Sequence, residues 1–213
     1  MLVLAYQFMA ECPSTFLKEV MDLFSLTALE ICEGQQMDME FEQRNDVTAE
    51  EYLEMIRLKT AVLLAASLKI GARLGGASVE DADRLYDFGM HIGVAFQLKD
   101  DLLDVYGNAK VFGKNIGGDI LCNKKTYMLI KALEHANADQ HNQLNSWINA
   151  ETFQPAEKIA AVTELYDRIG VKAVCENKIL EYSNRAMESL AAVSIAEEKK
   201  EELKKIIENL IHR

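Results

Sequence analysis

Apolar residues recur at helical spacing along almost the whole chain. The segment 15–42 is typical, because Phe16, Val20 and Leu23 keep the three-to-four spacing of one buried helix face. The same reading predicts helices over residues 1–12, 15–42, 48–75, 79–106, 124–136, 138–149, 156–169, 171–193 and 196–211. The last of these carries charge on most faces, so we expect it to form a solvated rim.

Local signals agree with these boundaries. Thr48 and Glu51 form the pattern of a capping box, Ser78 is placed to cap the next helix, and Pro155 falls at a helix start. Residues 107–123 are predicted to be a loop. Only 2 prolines and 11 glycines interrupt 213 residues, and no repeat or linker divides them. The sequence therefore predicts an all-α protein with one helical domain over residues 1–213.

The net charge and the cysteines limit which partners and which cellular compartment we expect for this protein. A formal net charge of −11 disfavours nucleic acids and anionic membrane surfaces as partners. The apolar runs are too short for a membrane span, so we do not expect an integral membrane protein. The first residues lack the pattern of a signal peptide. Four cysteines without a CxxC pair indicate reduced thiols and a cytoplasmic protein.

The most informative stretch is a DDxxD pattern inside the apolar helix predicted over 79–106. On a helix, Asp100 and Asp104 lie one turn apart, with Asp101 beside them, and like charges at that spacing repel. Magnesium accounts for such a pair, because it binds through one or two carboxylates and completes its shell with water and phosphate. Gln97 lies one turn earlier on the same stripe. The alternative is a solvated acidic patch on a helix.

Further polar residues have an ordinary and a functional interpretation. Asp38 could be a plain helix-end residue, and Lys59 could extend from its apolar stretch to water. Lys114 lies in a glycine-rich segment, where an ammonium group and bare amides could approach phosphate. A Walker-type loop is excluded because Asn115 stands where that motif needs Ser or Thr, and because a helix precedes the segment. The histidines lack the Glu-x-x-His spacing of di-iron bundles.

Taken in order, these pieces resemble the trans-isoprenyl diphosphate synthases, the family of farnesyl and geranylgeranyl diphosphate synthases. The matching elements are Gly34-Gln35-x-x-Asp38, Lys59-Thr60, Phe96-Gln97-x-x-Asp100-Asp101-x-x-Asp104, and Gly113-Lys114 followed by Gly118-Asp119-Ile120 and Lys124-Lys125-Thr126.

The resemblance implies a helical bundle around an apolar cavity, with magnesium ions at its mouth. It implies a prenyltransferase of isoprenoid biosynthesis that condenses an allylic diphosphate with isopentenyl diphosphate, head to tail, and that forms a homodimer as the family does. The implied metal ligands are Asp100, Asp101, Asp104 and Asp38. The implied diphosphate-binding residues are Lys59, Thr60, Gln97, Lys114 and Lys124. The three aspartates of the DDxxD and Lys59 would be the catalytic residues.

One departure from the family pattern matters for activity. The family has a further aspartate-rich motif earlier in the chain, and this sequence contains only one DDxxD. We therefore expect an N-terminally incomplete isoprenoid synthase fold that is inactive as this chain alone. A non-catalytic helical partner that stabilises a complete synthase is the alternative. The sequence disfavours a terpene cyclase, because the second metal motif of that class does not follow Asp104. Aromatic residues, which would stabilise cations in a cyclase pocket, make up only 8% of the chain.

Overall fold

The computed structural model describes residues 1–108 and 116–212, and in this part of the chain all regular structure is helical. The α-helices are α1 (Leu2–Ala10), α2 (Ser14–Phe41), α3 (Ala49–Ile56), α4 (Val62–Leu74), α5 (Val79–Tyr106), α6 (Gly118–Leu121), α7 (Tyr127–His135), α8 (Ala138–Ile148), α9 (Pro155–Ile169), α10 (Val171–Ala191) and α11 (Glu201–His212). A π-helical turn, Arg57–Ala61, joins α3 to α4, and a 3₁₀ turn, Glu197–Lys199, precedes α11. The predicted all-α class is confirmed.

Most helix starts are where the capping residues predict them. Thr48 and Glu51 form the reciprocal hydrogen bonds of a capping box at α3. The Ser78 side chain accepts the Asp81 N–H at the start of α5, and Pro155 occupies the first turn of α9. The helix predicted from residue 124 instead begins at Tyr127, because the Thr126 side chain caps it. The predicted loop 107–123 contains a helix, α6, which is too short to show periodicity.

Helix α5 is 28 residues long and lies at the centre of the bundle, packed between α4 and α10. Glycines permit the close approach of α4. A Cβ on Gly89 would lie 2.6 Å from Ala65 Cα, and one on Gly93 would lie 2.5 Å from Ala61 Cα. These distances are far inside ordinary contact, so the α5 backbone almost directly meets the α4 backbone at Gly89 and the π turn at Gly93.

The buried apolar side chains form a cluster that draws on helices from α2 to α11. The expectation of a solvated last helix was wrong in one respect. Ile207 is 2% exposed and Leu210 is 6% exposed, and both belong to the core cluster. The ammonium group of Lys200 is buried as well, donating to the Ala191 carbonyl at 3.0 Å and to Glu197. The helix is amphipathic, with charged residues confined to its outer face.

Helix α1 is different, since it has no buried residue. Its side chains Leu2, Val3, Leu4 and Phe8 are all exposed, and it contacts α2 through the edge-to-face pair Tyr6 and Phe24. Among the described residues, none of the helices combines the length and the apolar character that crossing a bilayer requires.

Candidate functional site

The DDxxD aspartates occupy the last two turns of α5, and they face two environments. Asp100 and Asp104 lie on one stripe of the helix and are partly exposed. Asp101 lies about 100° further round the helix and is only 2% exposed. The motif therefore presents two carboxylates outward and turns the third into the protein.

The buried Asp101 carboxylate is satisfied by protein donors. The Tyr52 hydroxyl of α3 donates to Oδ2, and Gln97 Nε2 donates to Oδ1 at 3.1 Å. Burial raises the pKa of Asp101, and the two hydrogen bonds lower it. The effect of burial is the larger, so the pKa is raised to about 7. Burial and the neighbouring carboxyl also raise the pKa of Tyr52 well above its usual value. Tyr52 and Asp101 thus join α3 to α5 beneath the outward-facing carboxylates.

Asp104 connects α5 to the short helix α6. Its Oδ2 accepts the Asp119 N–H at 3.0 Å, and its backbone carbonyl accepts the Gly117 N–H at 2.6 Å. Gly117 has a φ of 83°, a conformation that glycine adopts without strain. Burial raises the pKa of Asp119, and the nearby carboxylates of Asp104, Asp100 and Asp38 raise it further. The carboxylates of α2 and α5 therefore act on the Asp119 carboxyl of α6.

The π turn supplies Lys59 and Thr60. One extra residue per turn changes the direction of the side chains relative to a continuous helix, and such turns are frequent at functional sites. Helix α2 reaches the turn through Gly34, where a Cβ would lie 2.5 Å from the Lys59 backbone nitrogen. This approach lets Lys59 Nζ pair with Asp38 Oδ2 at 2.6 Å, one turn after Gly34 on α2. Both side chains are partly buried, with 34% of Lys59 and 20% of Asp38 exposed.

A chain of hydrogen bonds runs from the π turn to the buried aspartate. The Thr60 hydroxyl donates to Gln97 Oε1 at 3.2 Å, and the Gln97 amide donates to Asp101. The Asp101 carboxylate accepts the Tyr52 hydroxyl at its other oxygen. Because each group fixes the next, the orientation of the Gln97 amide is determined.

Lys124 faces the carboxylates from the segment between α6 and α7. Its Nζ lies 3.9 Å from Asp119 Oδ1. Burial alone would lower the pKa of Lys124, but the carboxylates of Asp119, Asp101, Asp38 and Asp104 outweigh it and raise the pKa. The ammonium group therefore stays charged. It lines an open cleft together with Asp38, Phe41, Glu42, Gln43, Gly118, Asp119, Cys122, Asn123 and Lys125.

The comparisons with known proteins agree with this arrangement. A family profile described as polyprenyl synthetase matches residues 1–166. The chain belongs to the polyprenyl synthetase family. A short chain isoprenyl diphosphate synthase from Methanothermobacter thermautotrophicus is 40% identical over 177 residues, which cover 83% of this chain and 54% of that protein.

Solved structures of the family share the fold. The crystal structure of a geranylgeranyl pyrophosphate synthase matches with a TM-score of 0.93 and 37% identity, covering 100% of this chain and 66% of that one. A geranylgeranyl pyrophosphate synthase from Corynebacterium glutamicum, solved with isoprenyl diphosphate and magnesium, matches with a TM-score of 0.85 and 29% identity. That match covers 94% of this chain and 57% of the other. The chain thus spans roughly half to two thirds of these relatives, and the predicted isoprenoid synthase fold is confirmed.

Polyprenyl synthetases use divalent metal cations, and the outward-facing carboxylates fit such an ion. Asp100 and Asp104 offer hard oxygen ligands one turn apart, and Asp104 is oriented by the Asp119 N–H. Within residues 1–108 and 116–212, no three Asp, Glu, His or Cys side chains are arranged to hold an ion. Two carboxylates one turn apart suit a cation that completes its shell with phosphate and water.

The structure brings most of the residues predicted from the polyprenyl synthetase resemblance into one region. Asp38 pairs with Lys59, Thr60 contacts Gln97, Gln97 contacts Asp101, and Lys124 faces Asp119. Lys114 lies outside the described residues. As a metal ligand, Asp101 stays a prediction, since in this structure protein groups occupy both of its oxygens.

Sequence reasoning missed the role of Tyr52 as the partner of Asp101. The two residues are 49 positions apart, and the spacing of Tyr52 in α3 matches that of any core residue. From the sequence, Asp119 stands out only as part of a matching motif. Its place directly after two glycines and five residues before a lysine is the one local signal that it belongs to the site.

Proposed function

We propose that this chain contributes the diphosphate-activating part of a trans-prenyl diphosphate synthase. The observation that supports this most is the convergence of the Asp38, Asp100, Asp104 and Asp119 carboxylates with the Lys59 and Lys124 ammonium groups. Carboxylates and lysines interleaved in this way suit a polyanion that is bound partly through cations. A net charge of −11 makes such local positive groups necessary for an anionic substrate.

The proposed reaction is head-to-tail condensation of an allylic diphosphate with isopentenyl diphosphate. The bond between C1 of the allylic group and the diphosphate oxygen breaks, and a carbon–carbon bond forms between C1 and the terminal alkene carbon of isopentenyl diphosphate. This leaves a cation at C3 of the isopentenyl unit, and C2 of that unit then loses a proton to the released diphosphate, which forms the new double bond between C2 and C3. Mg²⁺, held by Asp100 and Asp104, would supply Lewis-acid stabilisation of the leaving diphosphate.

The protein groups have distinct roles in this proposal. Lys59 and Lys124 neutralise the charge that develops on the leaving diphosphate, and binding of the anion displaces Lys59 from Asp38. The Thr60 hydroxyl and the Gln97 amide lie beside them with a fixed orientation, so their oxygens can face the allylic cation. Asp101 accepts a hydrogen bond from Gln97 and one from Tyr52, so these two residues hold Gln97 in place without contacting substrate.

An apolar strip next to these groups suits an isoprenoid tail. Leu63, Leu64 and Phe96 are 47%, 42% and 41% exposed. Leu64 Cδ1 lies 3.3 Å from the position that a Cβ on Gly93 would take, and Phe96 follows Gly93 by one turn on α5. The strip therefore continues from Thr60 and Gln97 along the α4 and α5 surface. Burying it against a prenyl chain would stabilise the complex by about 25 cal/mol per Å² of apolar surface.

The test is Mg²⁺-dependent formation of longer prenyl diphosphates from farnesyl diphosphate and radiolabelled isopentenyl diphosphate. We expect the chain alone to form no product, because its sequence holds one DDxxD and thus one side of a metal site. We expect it to bind diphosphate in the presence of Mg²⁺, and to lose this binding in Asp100→Asn. Absence of Mg²⁺-dependent binding by the wild-type chain would overturn the proposal, and product formation would overturn the need for a second motif.

A non-catalytic partner of a complete synthase is the second candidate. The exposed apolar side chains of α1 favour association with another protein surface, which a homodimer or a heteromer would equally provide. An intact set of Asp100, Asp104, Lys59 and Lys124 has no use in a pure scaffold. Diphosphate binding by the purified chain therefore separates the two candidates. A cytoplasmic location remains part of the proposal.

A further inference from the structure

Lys158, on the first turn of α9, is a buried lysine that the proposed reaction does not use. It is 1% exposed. Its Nζ lies 4.2 Å from the centre of the Phe153 ring, and in the part of the chain that the structure describes its ammonium group pairs with no carboxylate. Burying an ammonium group is costly unless hydrogen bonds and an opposite charge compensate it. Packing alone would favour Leu or Met, so the charge calls for another explanation.

The ammonium group of Lys158 holds the side chain of Asn123. Lys158 Nζ donates to Asn123 Oδ1 at 2.7 Å. On the other side of the same amide, Asn123 Nδ2 donates to the Ile148 carbonyl at 2.9 Å. Because an ammonium group only donates and a carbonyl only accepts, these two contacts fix the orientation of the Asn123 amide. The side chain is thereby clamped between α8 and α9.

Asn123 is also unusual in its backbone. Its φ of 52° is the only positive value among the described residues other than glycine, and Asn tolerates this region better than most residues. The turn is held by the Asn123 N–H donating to the Ile120 carbonyl at 3.2 Å and the Lys124 N–H donating to the Asp119 carbonyl at 2.9 Å. The next side chain along the chain is Lys124, which this turn directs toward Asp119.

We propose that Lys158 and Asn123 are positioning residues for diphosphate binding, which hold Lys124 in the orientation that meets the anion. This inference rests on the proposed function and adds two residues to it. Lys158 itself is enclosed behind the turn, so it acts through Asn123 and touches no substrate. Fixing the turn before binding removes the entropy cost of ordering it when the anion arrives. The ammonium group of Lys158 thus holds in place the segment that carries Lys124 and Lys125.

The test uses isothermal titration calorimetry of inorganic diphosphate with Mg²⁺ on the wild-type chain, Lys158→Met and Asn123→Gly. Methionine keeps an unbranched apolar stem and lacks the ammonium group, and glycine keeps the positive φ while removing the amide. We expect each variant to bind about tenfold more weakly, the value of one lost hydrogen bond to a charged group. The matched control is Lys200→Met, since Lys200 is 2% exposed and donates to a carbonyl far from the cleft. Its binding should equal that of the wild type.

Two further comparisons separate positioning from a general effect. Because the path runs through Asn123 to Lys124, the double variant Lys158→Met/Asn123→Gly should bind no more weakly than Asn123→Gly alone. In a Lys124→Met background, Lys158→Met should change the affinity less than twofold. Additive losses in either comparison would overturn the proposal, since they would mean that Lys158 acts on the anion directly through its charge.

Hydrogen exchange gives a readout that does not need the ligand. The amides of Asn123 and Lys124 should exchange at least tenfold faster in Lys158→Met than in Lys200→Met, whereas amides of α5 should be unchanged. Unchanged exchange at these two amides would overturn the inference, whether or not diphosphate binds. Failure of the wild-type chain to bind diphosphate, with faster exchange in Lys158→Met, would instead overturn the proposed function.

Discussion

Substitution of Gly34 by alanine tests whether the close approach of α2 builds the site. The new Cβ would lie 2.5 Å from the Lys59 backbone nitrogen and 2.8 Å from Leu58 Cβ. Carbon atoms in ordinary contact are about 3.5–4.0 Å from their neighbours, so α2 and the π turn must separate by roughly 1 Å. The atoms opposite are mainly backbone, which cannot rotate away.

The expected cost follows from overpacking. Forcing one methyl group into a filled interface typically costs about 1–3 kcal/mol. A value of about 2 kcal/mol corresponds to a decrease in Tm of about 4–8 °C for a chain of this size. The separation also stretches the 2.6 Å contact of Lys59 with Asp38, which lies one turn beyond Gly34. We therefore expect Gly34→Ala to weaken Mg²⁺-dependent diphosphate binding as well as the fold.

The assay is thermal unfolding followed by circular dichroism, with calorimetric binding of diphosphate on the same samples. Gly71→Ala is the matched control, because Gly71 lies within α4 and a Cβ there meets no atom within 4 Å. That variant should gain about 1 kcal/mol from helix propensity, or about 2–4 °C in Tm. If Gly34→Ala is as stable as Gly71→Ala and binds diphosphate normally, the reasoning about close approach is wrong.

Three further predictions concern the site and its surroundings. Tyr52→Phe should lower the free energy of unfolding by about 1–3 kcal/mol in urea titrations, because it leaves one oxygen of the buried Asp101 without its donor; an unchanged midpoint would contradict the contact. Asp100→Asn should abolish Mg²⁺-dependent diphosphate binding, whereas Asp22→Asn, which alters an exposed carboxylate, should not; equal losses would point to net charge alone. Burial lowers the pKa of His91, so the unfolded chain binds the proton more readily, and the contribution of His91 to stability should increase with pH through the window below about 6.5 and level off above it. The raised pKa of Asp101 acts in the opposite sense in the same window, so the effect of His91 is read from the difference in urea midpoint between the wild type and His91→Asn, and a difference that does not change with pH would contradict the prediction.

Much of the fold was predictable from local sequence. Helix starts at Thr48 and Ser78 follow from side chains that satisfy the first free N–H groups, and this chemistry acts within four residues. The spacing of Asp100 and Asp104 predicts their common face for the same reason, since helical geometry is periodic and local. The order of the motifs predicted the family, which the relatives confirm. The π turn at Arg57–Ala61 was not predictable, because its residues fit a continuous α-helix equally well.

The sequence by itself determined which residue types were available and which helix face each one occupies. Only the tertiary structure decided that Asp101 turns inward to Tyr52, that Lys59 meets Asp38, and that Lys158 reaches Asn123 from 35 residues away. These contacts join segments that are distant in the chain, so they form only when the helices pack; the Lys59–Asp38 pair, for example, depends on the approach of α2 to the π turn at Gly34. Periodicity records that a side chain faces inward. It does not record which group lies opposite, because that is settled when the helices pack together.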